Sequence, residues 1–79
     1  MQEGTTRTYT AYIEYDTDTE SYVGTVPGLH GAHSQGKTLD ELQENLREVV
    51  QLVLEERKSR GESIEVDPFV GLQQVIVQV

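Results

Sequence analysis

Four carboxylates fall within one short segment: Glu14, Asp16, Asp18 and Glu20. Acidic side chains at alternate positions suit a loop that wraps a divalent cation, and Asp16-x-Asp18-x-Glu20 matches the opening of a calcium-binding loop. The match stops there. Such a loop needs glycine at its sixth position and glutamate at its twelfth, where this chain has Ser21 and Pro27. The segment therefore reads as a solvated acidic turn. His30 and His33 are three residues apart and form a zinc pair in principle. No third ligand stands near them, and the chain has no cysteine to offer a thiolate. Ser34 follows His33 directly, but strand neighbours point to opposite faces, so the two make no nucleophile–base pair. The threonine-rich stretches, Thr5–Thr10 and Thr17–Thr19, are strand and turn formers, and no GxxxxGKS or GxxxxGKT phosphate loop occurs. The expectation is no catalytic residue, no metal and no cofactor.

Composition narrows the partners. The chain has 79 residues and a formal net charge of −8. Phosphate contacts need a Lys/Arg footprint, so direct nucleic-acid binding is not expected. The basic cluster Arg57, Lys58 and Arg60 sits where a helix C-terminus would use it to offset the dipole. An acidic surface suits a basic protein partner by charge complementarity. No apolar run is long enough to span a membrane, and the opening MQEGTTRTYT has no apolar h-region, so a reducing cytoplasm is the expected setting.

The elements that must carry these residues are few. Met1–Thr6 is polar. Residues 7–15 alternate, with Tyr9, Ala11, Ile13 and Tyr15 on one face, and predict a first strand. Residues 16–21 form a polar turn, residues 22–26 a second strand, and residues 32–35 a short third strand after a Pro27–Gly31 corner. Thr38 with Glu41 is a capping box, and Asp40 and Glu41 place negative charge in the first turn. The helix is expected over residues 39–60. Leu39, Leu42, Leu46, Val49, Val50, Val53 and Leu54 make a stripe about 140° wide as its core face. Arg57 falls near that stripe in the last turn and is expected to snorkel, and Gly61 suits the residue after the cap. After Pro68, residues 72–79 alternate again, which predicts a strand. The expected order is β-β-β-α-β: an α+β domain over residues 1–79, with a three-stranded antiparallel sheet, one long helix and a C-terminal strand.

Four apolar residues remain without a place in that scheme. Leu52 lies off the helix stripe, and Val75, Val77 and Val79 share one face of the last strand. A chain of this size buries only about 60% of its unfolded surface, and an open strand edge invites pairing. These four are the candidate oligomer or partner contacts, and a homodimer or homotetramer is expected.

The combination resembles the N-terminal domain of the HicB family, the antitoxin half of HicA–HicB toxin–antitoxin pairs. The likeness runs from Tyr9 to about Leu54 and then along the last strand. It is carried by Tyr22-Val23, by Val26-Pro27-Gly28-Leu29-His30-Gly31-Ala32-His33-Ser34-Gln35-Gly36, by Thr38, by Asp40-Glu41-Leu42, by Asn45, by Glu48-Val49 and by Leu54-Glu55. His30 stands where the family usually has proline and Ala32 where it usually has cysteine. The resemblance implies a truncated ribonuclease H-like fold without nuclease carboxylates, and hence no enzyme. It implies binding and occlusion of a small basic HicA-type ribonuclease of double-stranded-RNA-binding fold. Many family members carry a C-terminal DNA-binding domain, and none is expected here. Two alternatives stay open: a degenerate ribonuclease H-like hydrolase using Glu14, Asp16 or Asp18 with a metal, and an oligomeric accessory protein without a toxin.

Overall fold

The computed structural model describes residues 6–79; the first five residues of the polar Met1–Thr6 stretch lie outside that range. Three strands and one helix follow in order: β1 (Tyr12–Asp16), β2 (Ser21–Thr25), β3 (His33–Gly36) and α1 (Leu39–Ser59). The strands form one antiparallel sheet in the order β1-β2-β3. The fold class is α+β, as expected.

The first strand is shorter than its alternation implies, and its partner explains why. Tyr12 pairs with Thr25 at the end of the β1–β2 ladder. The Val26 N–H faces the other way, donating to the Ala32 carbonyl at 2.9 Å, and Pro27, the next residue that would face β1, has no N–H. Residues 7–11 therefore have no ladder to join. At the other end of the hairpin, Asp16 accepts from the Asp18 N–H at 3.0 Å in an Asx turn, and Glu20 takes a left-handed φ of 53°. Lys37 Nζ ties the turn to the start of the helix through the Thr19 carbonyl, at 2.6 Å.

The helix, about 32 Å long, is seated on the sheet by two glycines. A Cβ on Gly36 would lie 2.6 Å from the Leu42 nitrogen, so the helix backbone rests directly on the end of β3. A Cβ on Gly24 would meet the Leu46 and Leu42 methyl groups at 2.8 and 3.4 Å. Leu42 and Leu46 are the buried residues of the helix, while Val49, Val50, Val53 and Leu54 are half-buried. Leu39 belongs to the same stripe by spacing but is exposed. Val26, Leu29 and Ala32 from the corner form a second buried cluster, closed by Val50 and Leu54 from above and by Tyr9, Ala11 and Val66 from the side. Ala32 is fully buried in that cluster, and its amide donates to the Leu29 carbonyl at 3.0 Å.

Both helix ends are closed by local chemistry. Thr38 Oγ1 accepts from the Glu41 N–H at 3.0 Å, as the capping box requires. The reciprocal arm reaches one residue further back than expected, with the Glu41 carboxylate accepting from the Lys37 N–H. At the C-terminus, Gly61 has φ +73°, its N–H donates to the Lys58 carbonyl, and the Glu62 N–H donates to the Arg57 carbonyl. That pair of bonds is a Schellman motif. Hydrogen bonding from Arg60 holds the exposed Glu62 carboxyl below the ordinary carboxylate range.

The segment after Pro68 departs from expectation. Residues 72–79 form no ladder with any described strand, although the alternation is that of a strand. Residues 64–66 stay close to the body: Tyr9 Oη donates to the Ile64 carbonyl at 3.1 Å and Arg7 pairs with Glu65. Beyond them the segment lies along neither edge strand of the sheet, and the molecule measures 55 × 27 × 19 Å.

Two outcomes follow from the helix seating. Gly36→Ala meets rigid helix backbone and is expected to cost about 1–3 kcal/mol, more than Gly24→Ala, whose new methyl group meets the mobile end of Leu46. Thr38→Ala is expected to cost about 1 kcal/mol, with Thr38→Ser nearly silent. Urea unfolding of the four variants checks both; equal losses at the two glycines would contradict the close backbone contact.

Candidate functional site

The hairpin carboxylates do not assemble into a centre. Glu14 pairs across the ladder with Val23, Asp16 is engaged in its own Asx turn, and Asp18 and Glu20 stand exposed in the turn. Among the described residues no three His, Asp or Glu side chains come together to hold a metal ion. His30, His33 and Arg57 all line one shallow groove beside the corner. A guanidinium in the same groove opposes a divalent cation. Arg57 is half-buried, and its Nη1 donates to the Ser63 carbonyl at 3.3 Å.

The candidate contact residues fall into two separate places. Leu52 is on α1 and 65% exposed. Its neighbours on the helix surface, four before and three and four after, are Glu48, Glu55 and Glu56, all exposed. Glu44 and Glu48 continue that acidic face toward the N-terminus. Some of these charges are internally offset: Arg47 pairs with Glu44, and Arg60 with Glu56. The result is one apolar side chain set within carboxylates. The sequence reading named Leu52 but missed its ring of glutamates, which i−4, i+3 and i+4 spacing alone reveals.

Val75, Val77 and Val79 lie in the other place, on the unpaired segment, and are 71–124% exposed together with Leu72 and Ile76. A third feature was not anticipated. Ile13 and Tyr15 are about half exposed on β1. They lie on the helix side of the sheet, since Ile13 is the cross-strand partner of Gly24 and Tyr15 that of Tyr22, and cross-strand partners share a face. The Tyr15 and Tyr22 rings meet edge to face at 5.1 Å. The helix packs over β3 and β2 but not over β1, which leaves this stripe uncovered.

A family model described as the HicB-like antitoxin of bacterial toxin–antitoxin systems matches residues 9–76. The chain belongs to the HicB-like antitoxin family. A UPF0150 protein of Thermotoga maritima is 44% identical over 70 residues, covering 89% of each chain. A UPF0150 protein of Synechocystis is 46% identical over 65 residues, 82% of this chain and 87% of that one. One from Archaeoglobus fulgidus is 44% identical over 66 residues, 84% of this chain and 88% of that one. No solved structure matches. The matched family range includes the valine-bearing segment as far as Ile76. Among the described residues, no helix is long and apolar enough to cross a membrane.

The histidine groove makes a direct prediction. Stoichiometric zinc at neutral pH is expected to leave the melting temperature unchanged; a rise that His33→Ala abolishes would establish a metal site there.

Proposed function

We propose that this chain acts as the antitoxin of a small basic HicA-type ribonuclease, which it binds and occludes in the cytoplasm without catalysing a reaction itself. Family membership supports the antitoxin role. The observation that gives it a surface is Leu52 within its acidic ring. An exposed apolar residue flanked by Glu48, Glu55 and Glu56 offers a desolvated anchor surrounded by charge of the sign that a basic protein would meet. The net charge of −8 steers such a partner to the whole molecule, and the helix face gives it a place to dock.

The hydrolase reading requires Glu14, Asp16 or Asp18 to converge on a metal, and no such convergence exists among the described residues. An accessory role without a toxin differs from the antitoxin reading in its genetic neighbourhood. A reading frame for a small basic protein with one catalytic histidine beside this one favours the antitoxin.

The experiment is inhibition of that neighbouring ribonuclease by the purified chain, with binding followed by calorimetry. Stoichiometric inhibition is expected, with affinity falling as salt rises, and Leu52→Lys is expected to weaken binding at least tenfold. A ribonuclease that stays fully active in excess antitoxin would refute the reading. If Leu52→Lys inhibits as well as the parent, the docking face lies elsewhere.

A further inference from the structure

The uncovered stripe on β1 and the unpaired segment after Pro68 have matching chemistry. We propose that residues 72–79 of one chain add as a strand to the outer edge of β1 in a second copy, and that the exchange is reciprocal.

The segment itself selects the kind of partner. From Phe69 to Val79 no side chain is charged, so it offers nothing to a basic protein or to phosphate. Its alternation puts Val75, Val77 and Val79 on one face and Gln74, Ile76 and Gln78 on the other. What it lacks is a ladder for its N–H and C=O groups and an apolar surface for its valines. The outer edge of β1 offers both. β1 is the end strand of the sheet, so half of its backbone groups point away from β2. On the helix side of that edge stand Ile13 and Tyr15, 49% and 52% exposed, where a row of valines would cover them. On the opposite side are Tyr12, Glu14 and Asp16, next to which the glutamines would lie.

The other sheet edge is a poorer match. β3 reads His33-Ser34-Gln35-Gly36, has no apolar side chain, and its Gln35 carbonyl already accepts from Asn45 Nδ2 at 2.8 Å. A chain's own β1 is also disfavoured as the acceptor. Residues 64–66 are held against Arg7 and Tyr9, and the segment beyond Pro68 projects from the body rather than folding along the strand. A second copy removes the conflict. Each chain supplies one segment and one edge, so a two-fold pair satisfies both and closes. The pair also enlarges a small core: only Val26, Leu29, Ala32, Leu42 and Leu46 are buried apolar residues among those described.

Toxin binding plays no part in this pairing, so it is tested on the chain alone. Size exclusion with light scattering is expected to give twice the chain mass for the parent. The single chain mass, with helical circular dichroism retained, is expected for Val75→Lys/Val77→Lys and, separately, for Ile13→Lys. Because a lysine variant can also unfold, the parent is examined by isotope-filtered NMR on a mixture of labelled and unlabelled chains. Contacts from valine methyl groups of one chain to the Tyr15 ring of the other are expected. A parent of single-chain mass, folded variants that keep the parent's mass, or valine–Tyr15 contacts confined to one chain would each overturn the proposal.

Discussion

The fold depends on one close approach, that of the helix start to the end of β3. At Gly36 the helix backbone comes so near that a single carbon could not be added without moving it. Around that contact the other restraints are arranged. Thr38 and Glu41 close the first turn, Lys37 reaches the β1–β2 turn through Thr19, and Asn45 holds the Gln35 carbonyl from the next turn of the helix. These bonds fix both the height and the direction of the helix. Leu42 and Leu46 then fall over Gly24, where the sheet has a hollow in place of a side chain. A helix seated in this way lies over β3 and β2. The bare flank of β1 is the geometric remainder of that choice.

Two surfaces of different character result. The outer face of the helix is acidic, with Leu52 as its apolar point; the helix side of β1 shows Ile13 and Tyr15, and the segment after Pro68 has no charged side chain. The two surfaces share no residue, so the docking proposed at Leu52 and the strand exchange proposed at β1 would not compete for the same groups.

Much of this was legible in the residues. The Thr38 cap, the Schellman glycine, the acidic turn and most of the helix stripe are set by local spacing and by hydrogen-bonding rules that act within a few residues; the Glu41 arm, which reaches Lys37, and Leu39, which is exposed, are the exceptions. The lengths of β1 and of the last strand were not legible in that way. Alternation reports which faces a segment would have, but a strand also needs a neighbour. The β1 ladder stops at Pro27, which has no amide to offer it, and residues 72–79 have the pattern without a partner strand in their own chain. Leu52 was legible as a misplaced apolar residue, whereas Ile13 and Tyr15 were not, because their exposure depends on the helix footprint and hence on Gly36.

The unpaired segment ties the state of the molecule to its abundance. The hairpin, the corner and the helix are joined by contacts near in sequence, so they form at a rate independent of concentration. Any cover that residues 72–79 obtain from outside their own chain is governed by mass action. Unpaired, the segment is bare extended backbone, the form that a protease cleft takes in; under the proposed exchange it would be shielded as copies accumulate. A length of chain without a place in its own sheet would then serve as a gauge of how much of the protein is present.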